Sequence, residues 1–143
     1  MKNISRILVA NRGEVAVRVI RSCKELGIES VLAVSEEDKE SLAAKMADRV
    51  ICIGPPQPRD SYLKGETIIH TALSTGSDAI HPGYGFLAEN SAFAKMCEEN
   101  DIIFIGPSSE NLKQVGDKLK ARGIAKSCGV PIIPGSEKVK SID

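Results

Sequence analysis

An α/β fold, a doubly wound and mostly parallel five-stranded sheet with helices on both faces, is predicted by three features of this sequence. Short apolar runs rich in β-branched residues alternate along the chain with stretches whose apolar residues recur at spacings of three and four. The first run, Ile7-Leu8-Val9-Ala10, is apolar without alternation, as expected of a strand covered on both faces. The connections between runs are too long for hairpins, which favours crossovers and parallel pairing.

Each element follows from local chemistry. After the first strand, Asn11-Arg12-Gly13 turns the chain. From Glu14 to Leu26, residues Ala16, Val19, Ile20, Cys23 and Leu26 share one helical stripe, and Gly27 stops the helix. Val31-Leu32-Ala33-Val34 reads as the second strand, Ser41 to Ala47 as a short helix and Val50-Ile51-Cys52-Ile53 as the third strand. Gly54-Pro55-Pro56-Gln57-Pro58 is loop. A helix is expected from about Leu63 to Leu73, with Ile69, Ala72 and Leu73 on one side and Gly76 beyond its end. Asp78-Ala79-Ile80 is the fourth strand, Phe93, Ala94 and Cys97 mark the next helix, and Ile102-Ile103-Phe104-Ile105 is the fifth strand. Two short helices follow. Ser108 or Ser109 caps the first, which Gly116 ends, and Asp117 caps the second, which ends at Cys128-Gly129 and Pro131.

The 143 residues suit one core that buries roughly two-thirds of the unfolded surface, with no need of disulfides. Nineteen Lys and Arg balance nineteen Asp and Glu, and only 3% of residues are aromatic, which excludes the basic, stacking-rich surface of a nucleic-acid binder. The mixed cluster Glu36-Glu37-Asp38-Lys39-Glu40 reads as a solvated loop. Cys23, Cys52, Cys97 and Cys128 lack metal-ligand spacing and read as buried small hydrophobes. No apolar run approaches the ~20 residues of a membrane span, and Met1 to Arg6 lead directly into a strand, so a cytoplasmic location is expected.

Ligands of a doubly wound sheet sit outside the carboxyl ends of its strands, which singles out three segments. Asn11-Arg12-Gly13-Glu14 opens the first helix where a dinucleotide-binding domain carries G-x-G-x-x-G, but it has one glycine and places a carboxylate at the positive helix end. A helix start completed by its own Glu14 is the reading adopted there. His81-Pro82-Gly83-Tyr84-Gly85-Phe86 has two glycines free to adopt positive φ or admit a ligand against the backbone. Its alternative is a tight turn with Tyr84 and Phe86 capping the core. In Gly116-Asp117-Lys118, the lysine has the wrong charge for a first helical turn and the reach to meet a nucleotide phosphate; solvated surface is the alternative. His70 falls on a polar helix side and is given no role. Arg18, Arg21 and Glu25 share one helix face, fit either for intrahelical pairing or for a subunit interface.

Together, Val9-Ala10-Asn11-Arg12-Gly13-Glu14, Ala79 to Leu87, Glu89-Asn90, Phe104-Ile105-Gly106-Pro107 and Gly116-Asp117-Lys118 resemble the N-terminal region of the biotin carboxylase component of biotin-dependent carboxylases. Gly129-Val130-Pro131 and Pro134-Gly135-Ser136 extend the resemblance to the end of the chain. It implies a Rossmann-like (pre-ATP-grasp) lobe over residues 1–115 and, over 116–143, the helical start of the segment leading into the ATP-grasp region.

The resemblance also implies an ATP-dependent ligase that carboxylates a ureido nitrogen of biotin, with bicarbonate activated as carboxyphosphate and Mg2+ holding the phosphates. Lys118 resembles the family's nucleotide-contacting lysine, and Gly83, Tyr84 and Gly85 the loop facing biotin and bicarbonate. The helix bearing Arg18, Arg21 and Glu25 resembles the homodimer surface. The implied partners are the remainder of the biotin carboxylase, a biotin carboxyl carrier protein or domain and a carboxyltransferase. The sequence has no later glycine-rich lid, magnesium carboxylates or bicarbonate-activating Glu and Arg of that family, so these 143 residues are expected to be a fragment without carboxylation activity and without tight ligand binding. A binding or assembly module is the alternative. A nicotinamide-dinucleotide domain is a third, with Glu36 near the second strand's end in its favour and the missing glycines against it.

Overall fold

A computed structural model describes residues 3–116 and 118–133, leaving the side chains of Lys118 and Leu119 aside. Five strands, β1 (Arg6–Val9), β2 (Glu29–Ser35), β3 (Arg49–Gly54), β4 (Ala79–His81) and β5 (Ile103–Phe104), form a sheet in the order β3-β2-β1-β4-β5. Every pairing is parallel, with Leu8 opposite Val31 on one side and Ile80 on the other. Helices α1 (Gly13–Glu25), α2 (Leu42–Met46), α3 (Gly65–Thr75) and α4 (Ser91–Glu99) supply the crossovers.

Alternation within the strands separates two cores. Leu8, Ala10, Val31, Ala33 and Ile80 meet Ile68, Ile69 and Ala72 of α3 and Phe93 and Cys97 of α4. Ile7, Val9, Leu32 and Val34 meet Ala16, Val17, Ile20 and Cys23 of α1 and Ala43 of α2. The expected layers are therefore present, with helices on both faces of the sheet.

Several details differ from expectation. Leu26 and Leu73 are 72% and 50% exposed, because α1 gives way to the Gly27 turn before Leu26 and Leu73 faces away from the sheet. Cys23 and Cys97 are buried, but Cys52 and Cys128 are exposed. Cys52 and Val50 alternate onto an uncovered face of the edge strand β3. Burial raises the pKa of both buried thiols, that of Cys97 to about 12, so neither is an available thiolate. His70 is exposed, as read from its spacing. Ser108, rather than Ser109, caps α5 (Ser109–Val115) by accepting from the Asn111 N–H, while Ser109 donates to Glu98. The Asp117 cap expected for α6 (Lys118–Ser127) lies outside the described residues.

The cluster around Glu36 is a 3-10 turn over Glu36–Glu40, and one of its carboxylates serves the fold rather than solvent. Asp38 Oδ2 accepts from the Ser35 hydroxyl at 2.9 Å and from the Tyr62 hydroxyl at 2.7 Å. Tyr62 is 1% exposed, and its Oη also accepts from the Ser35 N–H at 3.0 Å. Burial pushes the Tyr62 pKa up to about 12, reinforced by its donation to Asp38. Partial burial opposes ionisation of Asp38, but the Tyr62 and Ser35 donors and the Arg12 charge outweigh it and hold the carboxyl below its ordinary range. At the opposite end of the sheet, Asp48 accepts from both the hydroxyl and the N–H of Ser30, which lowers its pKa as well.

These shifts set a stability window. Folding depresses the Asp38 and Asp48 carboxyl pKa values, so their contribution is complete above the unfolded value of about 4 and fades as pH falls below it. Folding raises that of Tyr62, so its contribution is complete below about pH 10 and is lost as pH rises toward about 12. Tyr62→Phe removes the acceptor of the buried Ser35 N–H and one of the donors to Asp38, which keeps the Ser35 hydroxyl and Arg12; urea unfolding at pH 7 is expected to show a loss of about 1–3 kcal/mol. The variant is also expected to lose part of the parent's alkaline destabilisation.

Candidate functional site

The strand order reverses between β1 and β4, and the loops leaving the carboxyl ends of these two neighbours diverge there to leave a crevice. Beyond the strand pairing, the Ala10 N–H donates to the His81 carbonyl at 3.0 Å. Asn11 then turns its side chain inward and is 4% exposed. Its Nδ2 donates to the carbonyls of Pro82 at 2.7 Å and Tyr84 at 2.8 Å, while its Oδ1 accepts from the Arg12 N–H at 2.9 Å.

The second loop is shaped to receive this amide. Gly83 has φ +66°, and a Cβ there would lie 2.6 Å from Asn11 Nδ2 and 2.7 Å from Val15 Cγ1, so both conformation and space require glycine. Gly85 also has φ +66°, but open space surrounds its missing Cβ. The Gly83 N–H donates to His81 Nδ1 at 3.0 Å, and partial burial lowers the imidazole pKa. Together these favour neutral His81 with its proton on Nε2. Phe86, with φ +38°, stacks on Tyr62 at a centroid distance of 5.0 Å. The loop is thus gripped by Asn11 at its start and by the Tyr62 ring at its end.

Between these grips, Tyr84 is 68% exposed and its hydroxyl donates to Glu14 Oε1 at 3.4 Å. Phe86 packs against the core while Tyr84 does not, so the two aromatic residues of the loop divide between structure and surface. A cavity of about 360 Å³ opens beside Tyr84, lined by Asn11, Arg12, Gly13, Glu14, Gly85 and Phe86. Another of about 400 Å³, also bordered by Tyr84 and Glu14, is lined by Arg18, Val19, Ser22 and His81. Arg12 lies 3.4 Å from Asp38 and over the Tyr62 ring at 5.8 Å, which ties the first loop to the same anchor as the second.

Gly83, Tyr84 and Gly85 therefore come together with the Asn11–Glu14 loop. Glu14 lies in the first turn of α1, where its charge meets the positive helix end; Arg12 is the N-cap residue without a side-chain cap bond, and the Glu14 carboxylate also faces Tyr84 and, at 4.0 Å, Arg18. Arg18, Arg21 and Glu25 are all exposed along α1. Lys118 begins α6, but its side chain lies outside the described residues. Sequence reasoning gives no role to Asn11, Tyr62 or Asp38. The signals it offers are an amide directly after a strand, and one of only two tyrosines lying near a proline-rich loop.

Among the described residues, no group of three or more His, Cys, Asp or Glu could hold a metal ion, and no helix is long and apolar enough to cross a membrane. Residues 3–112 match the family described as biotin carboxylase, N-terminal domain. Biotin carboxylase 1 of Bacillus subtilis is 54% identical over 95% of this chain, which covers 30% of that relative. The biotin carboxylase of Pseudomonas aeruginosa is 47% identical over 94% of the chain, which covers 30% of it. Among solved structures, the biotin carboxylase subunit of pyruvate carboxylase superposes with a TM-score of 0.88 at 51% identity, covering 97% of this chain and 31% of that one. A Hydrogenobacter thermophilus 2-oxoglutarate carboxylase biotin carboxylase domain dimer, in complex with MgADP, ADP and bicarbonate, superposes at 0.89 with 49% identity, covering 95% and 30%. The chain thus spans about a third or less of the length of these relatives.

The two loop glycines separate steric from conformational need. Gly85→Ala is expected to cost about 1–2 kcal/mol from φ alone, and Gly83→Ala about 2–4 kcal/mol because a clash with Asn11 and Val15 adds to it. Urea unfolding of both variants checks the order; equal losses would contradict the close packing at Gly83.

Proposed function

The chain belongs to the biotin carboxylase N-terminal domain family, and from that premise we propose that it forms one wall of the catalytic cleft of an enzyme that carboxylates carrier-bound biotin with ATP and bicarbonate. The observation that carries this reading is the Gly83-Tyr84-Gly85 segment: held firmly from behind, it presents an exposed ring and an unobstructed glycine at the switch-point crevice. The small folded bicycle of biotin, an apolar thiolane fused to a planar polar ureido ring, fits such a surface, with the tyrosine ring as an apolar contact and the phenol hydroxyl and loop amides as polar ones.

In this reading, Tyr84 and Gly85 orient biotin and narrow its path, and neutral His81 supports the turn beneath them by accepting from the Gly83 N–H. Bicarbonate activation through carboxyphosphate consumes ATP, and the lobe's contribution to the nucleotide is the Lys118 ammonium at the start of α6. In this reading the remainder of the enzyme holds Mg2+ and supplies the groups that activate bicarbonate. Residues 1–115 are the Rossmann-like lobe in this account, and 116–143 lead into the ATP-grasp region.

The exposed face of α1 carrying Arg18, Arg21 and Glu25 suits a homodimer contact, in which these charges pair across the interface. The carrier protein or domain and a carboxyltransferase are the implied partners. A cytoplasmic setting is part of this reading.

The reading is tested in a complete biotin carboxylase carrying this lobe. Tyr84→Ala is expected to raise KM for biotin about tenfold with KM for ATP unchanged, and Lys118→Gln to raise KM for ATP about tenfold or more with KM for biotin unchanged. The 143 residues alone are expected to show no biotin-stimulated, bicarbonate-dependent ATP cleavage. Variants that shift neither constant, or activity of the isolated lobe, would overturn the assignment.

A further inference from the structure

The side chain that holds the Tyr84 loop in place is itself buried at the back of that loop. Asn11 is buried, and all three of its directed hydrogen bonds are made within the switch point: Nδ2 to the Pro82 and Tyr84 carbonyls, and Oδ1 from the Arg12 N–H. One carboxamide thereby joins the loop after β1 to the loop after β4, where the sheet itself contributes the single bond from Ala10 to His81.

The residue type is specified by this geometry. An aspartate would bring a carboxylate against two carbonyl oxygens at 2.7 and 2.8 Å, replacing two donors by repulsion. A glutamine is one methylene longer, and the Cα of Gly83 already lies against the Asn11 amide, where even a Cβ would not fit. An alanine would leave the Pro82 and Tyr84 carbonyls without these donors. The carboxamide grips the carbonyl of Tyr84 itself, so a change at Asn11 reaches the exposed ring through its own backbone.

We infer that Asn11 is a positioning residue for biotin, setting the height and orientation of Tyr84 and Gly85 by clamping the Pro82 and Tyr84 carbonyls to the first loop. The inference rests on the reading that this loop faces biotin. Asn11 touches no substrate in this role; its effect is confined to the loop and leaves the nucleotide end of the cleft unaltered.

The test uses a complete biotin carboxylase carrying this lobe, with free biotin as the probe. Asn11→Asp and Asn11→Ala are compared with Tyr84→Ala and with Asp48→Asn, a change at the opposite end of the sheet that controls for lost stability. The Asn11 variants are expected to raise KM for biotin about tenfold, to leave KM for ATP within about twofold, and to speed amide exchange at residues 83–86 at least about tenfold while β1 and β2 stay protected. Asn11→Asp is expected to recover as pH falls and its carboxyl regains a donor, a recovery that Asn11→Ala does not share. Should Asn11→Asp fail to fold, Asn11→Ala gives the same two readings. Unchanged exchange at 83–86, or an unchanged biotin KM in Asn11 variants while Tyr84→Ala raises it, overturns the inference and leaves the functional reading standing. If Tyr84→Ala also leaves biotin KM unmoved, the functional reading fails first and the inference falls with it.

Discussion

A parallel sheet that reverses its winding must let two neighbouring chains leave in opposite directions, and the crevice this opens is useful only if both rims are held still. Here that constraint is met by one buried carboxamide. Asn11 follows β1 without an intervening residue other than Ala10, so its position is inherited from the sheet, and its amide transfers that rigidity to a loop that has no regular structure of its own. Gly83 is the complement of this contact: its missing side chain is the space the amide occupies. The exposed Tyr84 ring is thus carried on a support that belongs to the core.

The far end of the same loop is secured differently. Phe86 adopts a backbone conformation unfavourable for an aromatic residue and stacks on Tyr62, whose hydroxyl is fixed between the Ser35 amide and the Asp38 carboxylate. Arg12 closes the circuit by meeting Asp38 and the Tyr62 ring. The two loops of the switch point therefore share both anchors, one neutral and one charged. The neutral joint orients backbone carbonyls, while the charged one withstands burial because each polar atom has a partner; among the described residues no buried side-chain polar atom lacks one.

The layered sheet was legible in the sequence because fully buried parallel strands leave continuous apolar runs and their crossover helices leave a spacing of three and four. Leu26 and Leu73 show where that reasoning stops: apolar character marks a helix, but the surface it faces depends on which neighbour covers it. Edge position likewise decided Cys52. At the site, the glycines of the second loop announced themselves, since positive φ has a residue signature. Asn11 and Tyr62 did not, because their function depends on partners 71 and 24 residues away, Pro82 and Asp38, and no local pattern encodes such a pairing. Asp38 was hidden for a similar reason: in a run of charges nothing local separates the one carboxylate that turns inward. The ordered blocks of residues that resemble the biotin carboxylase N-terminal region carried the functional reading beyond what spacing alone supports, and the match over residues 3–112 places the chain in that family.

The central claim is that the Asn11 carboxamide is the joint between the two loops, and nuclear magnetic resonance of the isotopically labelled 143-residue chain tests it most directly. Slowly exchanging Nδ2 protons with distinct shifts, and scalar couplings across the hydrogen bonds to the Pro82 and Tyr84 carbonyl carbons, are the predicted result. Averaged Nδ2 protons exchanging with water as freely as those of an exposed asparagine, with no coupling to either carbonyl, would contradict it.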